Sequence, residues 1–295
     1  MAISRNKRRL MALVFVLLFL ILAPIIVFYA NGDIMDKSFE FLKTGGIFLR
    51  GIENGSTVFI NNKQEEVTGF LQRDLFIKNL RPNTYHVKVI KENLNDWEGQ
   101  ITIEPNLVSD LRVLSLPKNI LLEEIPKTIK TSPTSSSTIE KANSDYSDIL
   151  KIFNPLEATT SIKTKIVATT TYPLGSENNP KTKKKIGVWY SGKDLFLSWL
   201  GTIDSSPKFF CKEEICVKKV KVFSFDSDIK DVDLFFGENE ILTVSTDNKI
   251  YAIEAQENPL KKPQMIYEGK NPKFIFVDES VMYIKDNDKL FRYAI

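Results

Sequence analysis

Charge disappears from the chain between Leu10 and Ala30, where LMALVFVLLFLILAPIIVFYA runs for 21 residues without Asp, Glu, Lys or Arg. As a helix rising 1.5 Å per residue, this stretch reaches about 31 Å, the depth of a bilayer's hydrocarbon core. The apolar part of a cleaved signal peptide is shorter, about 7–15 residues. Both small-residue cleavage positions are also spoiled: Pro24 follows Ala23, and bulky Phe28 stands two before Ala30. The pattern predicts an uncleaved transmembrane anchor over 10–30, with a cleaved signal as the lesser alternative. Pro24 is tolerated in such a helix because neighbouring groups re-satisfy the freed carbonyl. Arg5, Lys7, Arg8 and Arg9 crowd the nine residues before the span. By the positive-inside rule they hold the N-terminus in the cytoplasm and leave everything after residue 30 outside the plasma membrane.

Past residue 42 the pattern changes to period-2 alternation, the signature of half-buried strands. GIFLRGI and STVFINN read as a first strand pair, folded over Gly51 and the Asn54-Gly55 dipeptide, residues suited to the positive φ of a tight turn. DLFIKNL, TYHVKVIKE, GQITIEP and SDLRVLSLP follow at even spacing. Short, evenly spaced strands predict a small all-β sandwich over 42–118 rather than βαβ units. In TYHVKVI, Tyr85, Val87 and Val89 share one face while His86 and Lys88 take the other. His86 is the only histidine of the chain and is expected on the strand's surface.

Four pieces of this region, in order, resemble a PEGA domain, a small bacterial surface β-sandwich. They are TGGIFL (Thr44–Leu49), ENGSTVFINN, LRPNTYHVKV and DWEGQITIEP leading to VLSLP, and together they span Thr44 to Lys118. The sequence departs from the family pattern at several points: Ile52 stands where the family has proline, Asn54 is an extra residue, Ser56 replaces an alanine and Asn83 replaces a turn glycine. Asn is the non-glycine residue that best tolerates the left-handed region, so Asn83 is expected to preserve the turn. Gly45, Gly46 and Gly55 are expected to act as backbone devices for strand entry and corner rather than as phosphate cradles. The resemblance implies a membrane-proximal stalk, and in related bacterial proteins a propeller-like region follows it.

Between 119 and 185 the composition shifts to Ser, Thr, Lys, Asn and Pro, as in KTSPTSSSTIEKANSD. Such a segment buries too little apolar surface to offset the entropy of ordering, so it reads as a connector. One exception is 144–153, where Tyr146, Ile149, Leu150 and Phe153 fall at helical spacing. From 186 to 295 the chain repeats. IGVWYSGKDLFLSWL, EILTVSTDNKIYAI and SVMYIKDNDKLFRYAI each read strand, polar turn, strand, with turns near Gly192, Asn248 and Asn287. Two further strands precede each of the last two units: KKVKVFSF with DVDLFFG, and PQMIYEG with PKFIFVD. This predicts two four-stranded units and a partial third, near the period of a propeller blade. A closed propeller needs about four blades or more. The array is therefore expected to leave open strand edges, through which copies of the chain self-associate.

The net charge of +3 changes little once the N-terminal tail is set aside: the remaining 36 Lys and Arg face 37 Asp and Glu. That balance excludes a nucleic-acid partner, which needs a basic face against phosphates. The cluster KTKKK at Lys181–Lys185 reads as a solvated run. Cys211 and Cys216 flank KEEI at a hairpin tip and, outside the membrane, make a disulfide candidate. Reduced structural thiols are the other reading. Two cysteines and one histidine are too few for a zinc site. Asp226, Asp228, Asp231 and Asp233 in FDSDIKDVD invite a calcium reading, but the glycine and terminal glutamate of a calcium loop are missing.

No cofactor motif or nucleophile-base signature appears. The expectation is a single-pass, non-enzymatic envelope protein that binds another protein or a cell-wall polymer. A surface hydrolase with paired carboxylates in the C-terminal β region is the alternative. Trp189, Tyr190 and Trp199 either supply a contact surface or pack in the core.

Overall fold

The computed structural model describes residues 5–30, 33–35, 41–69, 73–127, 146, 149–150, 152–153, 175–212, 215–277 and 279–294. Most of the Ser/Thr-rich connector, including 128–145 and 154–174, lies outside the described residues. Among the described residues the chain is all-β apart from one long N-terminal helix, a short helical stretch near residue 150 and single 3-10 turns at Ile203–Ser205, Lys208–Phe210 and Phe235–Gly237.

Helix α1 covers Arg5–Ala30 with Pro24 inside it. Its stretch Lys7–Val27 has a mean hydropathy of 3.2 with none of it buried, long and apolar enough to cross a membrane. Beyond it a hairpin of β1 (Asp33–Met35) and β2 (Phe41–Lys43) sets Asp33 opposite Lys43.

The chain divides into two compact units. The first contains seven strands after the hairpin: β3 (Gly45–Arg50), β4 (Thr57–Ile60), β5 (Lys63–Val67), β6 (Asp74–Leu80), β7 (Asn83–Ile90), β8 (Trp97–Ile103) and β9 (Val108–Arg112). They form two sheets of a β-sandwich-like unit, β6-β3-β9 and β5-β4-β7-β8, with β3 and β9 parallel. Alternation decides what is buried: Ile47, Leu49, Leu75 and Leu111 from one sheet, and Val58, Ile60, Val87, Val89, Trp97 and Ile103 from the other.

The first strand pair is a correction. β3 and β4 belong to different sheets, so residues 51–56 form an arch between sheets and not a hairpin. Both strands have an apolar face to bury, and opposite sheets satisfy both. Gly51 (φ 71°) and Gly55 (φ 74°) make the arch, and Ile52 is buried in it. Ser56 secures it: its hydroxyl donates to Glu53 O (2.6 Å), while its backbone N–H donates to Thr68 Oγ1 (2.9 Å).

Gly45 and Gly46 are strand residues, not turn residues. A Cβ on Gly45 would lie 2.4 Å from Glu104 O, and one on Gly46 would lie 2.7 Å from the Phe76 ring, so close approach demands glycine at both. Asn83 is likewise no left-handed turn residue. It opens β7, and its Oδ1 accepts the Thr84 N–H at 2.8 Å. The positive φ near it belongs to Asn79 (59°). Strand β5, KQEEV, carries no apolar alternation and so no strand signal in the sequence; it pairs along an edge.

The second unit contains β10 (Glu123–Ile125), β11 (Lys181–Lys183), β12 (Ile186–Ser191), β13 (Asp194–Trp199), β14 (Cys211–Lys212), β15 (Ile215–Cys216), β16 (Lys219–Ser224), β17 (Ile229–Leu234), β18 (Ile241–Thr246), β19 (Lys249–Glu254), β20 (Gln264–Glu268), β21 (Pro272–Phe276), β22 (Val281–Asp286) and β23 (Lys289–Ala294). Three four-stranded antiparallel sheets result: β11-β12-β13-β16, β17-β18-β19-β20 and β21-β22-β23-β10. The hairpin tips lie at Gly192, Asn248 and Asn287.

Two expectations change here. Each polar outer strand completes the sheet before it: β16 pairs β13 and β20 pairs β19, so the units are shifted by one strand. The partial unit is also whole, because both ends of the presumed connector enter sheets. Lys181–Lys183 starts the first sheet, and Glu123–Ile125 supplies the outermost strand of the last. Three-residue polar strands carry no periodic signal. They form because an existing edge offers unpaired N–H and C=O groups.

The described residues of the 144–153 segment are helical. Tyr146 and Ile149 pack with Leu290, flanked by Ile125, Leu150, Phe153 and Tyr283. A larger core joins Ile186, Val188, Leu195 and Leu197 of the first sheet to Val232, Leu234, Leu242 and Val244 of the second. Trp189 and Trp199 are buried and Tyr190 is half-buried, so these rings are core and not a contact surface.

Candidate functional site

The second sheet has two unlike faces. Val232, Leu234, Leu242 and Val244 give one face to the apolar core. Alternation turns Asp231 and Asp233 of β17 to the other, where register sets Ser245 and Thr243 of β18 directly opposite them. The Ser245 hydroxyl donates to Pro272 O at 2.7 Å, linking this face to β21. This face is polar along β17 and the facing positions of β18, while Ile241, Ile250 and Ala252 keep the rest of it apolar and buried.

Lys181 lies beside the two carboxylates of the edge strand β17. Its Nζ is 2.8 Å from Asp231 Oδ1, 3.7 Å from Asp233 Oδ2, and 5.7 Å from the centroid of the Phe274 ring. Lys181, Asp231 and Phe274 sit on β11, β17 and β21, the first strand of each sheet. One ammonium group thus joins three strands from distant parts of the chain. KTKKK is therefore not a solvated run throughout: Lys181 is mostly covered, and Lys183 pairs with Glu279 at 3.2 Å.

The carboxylates are held from behind. Asp231 Oδ1 accepts the Val232 N–H (2.9 Å) and Asp233 Oδ1 accepts the Leu234 N–H (2.8 Å). Burial pushes the Asp233 carboxyl above its ordinary pKa, with the Lys181 charge pulling the other way. Tyr190, whose hydroxyl donates to Lys230 O at 2.8 Å, is also raised by burial, and the Asp231 charge adds to this. Thr243 Oγ1 is buried without a hydrogen-bond partner. The arrangement offers two carboxylates and one cation, partly accessible, while the Thr243 hydroxyl is buried beneath them.

The other sequence-derived residues lie elsewhere. Asp226 and Asp228 are exposed in the loop before β17 and do not join Asp231 and Asp233. Among the described residues no group of three or more His, Cys, Asp or Glu is placed to hold a metal ion. Cys211 and Cys216 are bonded to each other directly across β14 and β15, with Cα atoms 3.9 Å apart, closer than the usual span of roughly 4.4–6.8 Å. His86 stands on the outer face of β7, its Nε2 3.9 Å from Glu98 Oε2. Arg5, Lys7, Arg8 and Arg9 lie along the first turns of α1.

Sequence reasoning missed Lys181 and Thr243. Thr243 had a signal available: in ILTVST a hydroxyl residue alternates with apolar ones on a fully buried strand. Compared with known proteins, the chain matches no family model and no curated relative.

Proposed function

We propose that this is a non-enzymatic, single-pass protein of the cell envelope. α1 anchors it in the plasma membrane with the N-terminus in the cytoplasm, the first unit is a PEGA-like stalk, and the three-sheet unit binds a protein or a cell-wall polymer. The observation that carries the reading is the Lys181–Asp231–Asp233 cluster, a partly accessible group of charges along the edge strand β17. The membrane placement is supported by the exposed apolar helix and the four basic residues at its start. The Cys211–Cys216 bond is in keeping with an oxidising compartment. Outer strands β16, β20 and β10 are the edges through which copies would self-associate.

Co-sedimentation of the full chain, in detergent, with insoluble cell-wall polymer tests the binding role. Asp231→Asn and Lys181→Met are expected to release the protein while leaving its fold intact. Retention equal to the unaltered chain would place binding elsewhere. Glycan or peptide turnover abolished by a single Asp or Glu change would replace this reading with a hydrolase.

A further inference from the structure

We propose that the outer face of the β6-β3-β9 sheet rests on the surface of the bilayer that α1 crosses. The proposal builds on the anchor reading above and adds to it a second membrane contact, made by the first folded unit.

Among charged side chains, the outer face of this sheet exposes a small apolar patch. With Ile47, Leu49, Leu75 and Ile77 turned inward, alternation turns Phe48 and Phe76 outward, and Val108 of β9 joins them beside Gly46. Phe76 is 42% exposed and Val108 is 47% exposed. The two phenylalanines meet edge-to-face with ring centroids 6.4 Å apart. Gly46 lets the Phe76 ring lie flat across the strand, because a Cβ there would stand 2.7 Å from it. Lys78 Nζ sits 5.3 Å from the Phe76 centroid, and an Arg50–Asp110 pair at 2.7 Å borders the patch. A lysine ammonium held over an exposed aromatic ring suits a headgroup boundary.

The opposite exterior is polar. On the outer face of β7 and β8, Lys88 pairs with Glu98 (3.1 Å) and Asp96 (3.4 Å), and His86 approaches Glu98. One exterior carries the Phe48–Phe76–Val108 patch among charged side chains and the other carries ion pairs, so the two exteriors differ. An apolar patch with a polar rim marks a contact surface.

The tether selects the bilayer as the occupant. Fourteen residues separate Ala30 from Gly45, but the β1–β2 hairpin short-circuits them by pairing Asp33 with Lys43. Three residues, one strand-to-strand step and two more residues then connect the helix end to β3, a reach of no more than roughly 25 Å. That holds the patch at high effective concentration next to the membrane, whereas a separate partner has to be recruited from solution.

Trp fluorescence of the full chain in vesicles of phosphatidylcholine and phosphatidylglycerol, with brominated acyl chains as quencher, tests this. Trp97, Trp189 and Trp199 are buried and give a protected background. Phe76→Trp adds a probe on the apolar face, and Lys88→Trp adds one on the polar face. The expected result is loss of most of the added Phe76→Trp emission and none of the Lys88→Trp emission. Unquenched Phe76→Trp in protein that still floats with the vesicles overturns the proposal, and shielding of that probe from acrylamide would then assign the face to a second copy or another protein. Equal quenching of both probes overturns it as well. Protein that fails to float at all removes the anchor reading first, and this inference with it.

Discussion

The buried carboxylate of Asp286, at the end of β22, accepts the hydroxyl of Tyr267 on β20 at 3.0 Å. It also accepts the backbone N–H groups of Lys270 (3.0 Å) and Asn271 (2.8 Å), so one side chain fixes the passage from the second sheet to the third. Gly269 permits this, since a Cβ there would clash with Asp286 Oδ2.

Burial works against the Asp286 charge, but the two backbone donors and the tyrosine outweigh it and hold its pKa below the ordinary value. A carboxyl with a depressed folded pKa contributes stability that is complete above its unfolded value, about 4, and is lost as pH falls through the folded value. Acid unfolding followed by circular dichroism is expected to begin at higher pH in Tyr267→Phe than in the unaltered chain. Asp286→Ala, which removes the shared acceptor of Tyr267 and of two part-buried N–H groups, is expected to cost about 1–3 kcal/mol in denaturant unfolding. Tyr267 itself is pushed up to about 12 by burial and by Asp286, so Tyr267→Phe should remove a late-ionising phenol from an alkaline absorbance titration.

Thr68 and Ser56 exchange hydrogen bonds across the arch: Ser56 N–H donates to Thr68 Oγ1, and Thr68 N–H donates to Ser56 O at 2.9 Å. Thr68→Val keeps the shape and removes one of the two acceptors of the Ser56 N–H, which retains Glu53 O at 3.2 Å. The expected loss is about 1 kcal/mol, read as a lower denaturation midpoint at unchanged slope. An unchanged midpoint would mean that the arch is held by Ile52 burial alone.

Thr243 and Asp233 are directly opposed on β18 and β17, and neither is well compensated. Thr243→Val removes a hydroxyl without a partner and is expected to raise stability by about 1 kcal/mol. Asp233→Asn, which removes a charge that burial disfavours, is expected to be neutral or stabilising while weakening ligand retention. Stability gained as binding falls is the signature of a functional site. Stability lost with binding unchanged would make the cluster purely structural.

Cys211 and Cys216 close a loop of only a few residues, so their bond constrains the unfolded chain weakly. Replacing both with Ser is expected to cost about 2 kcal/mol on the chain-entropy estimate. Thiol labelling of the non-reduced protein should modify neither cysteine, and modification of both would refute the bond.

Long-range register was the illegible part of the fold. Six strands of the first unit could be read from alternation, because each must bury one face. Alternation is silent about which strand lies beside which, and GIFLRGI and STVFINN went to different sheets for that reason. Glu123–Ile125 and Lys181–Lys183 were hidden more deeply: polar, three residues long, and ordered only by the edges that receive them. The candidate site shared this obscurity, since Lys181 and Asp231 are fifty residues apart and meet only through the stacking of two sheets.

What the sequence determined by itself is what depends on local patterning. The uncharged span of α1, the period-2 strands, the tips at Gly192, Asn248 and Asn287, and the closeness of Cys211 to Cys216 all arise from residues near one another in the chain. What only the tertiary structure decided is what depends on which edges and faces meet. The completion of three sheets, the strand role of Gly45 and Gly46, and the joining of Lys181, Asp231 and Phe274 require contacts that local periodicity does not encode, because free sheet edges accept polar and apolar strands alike.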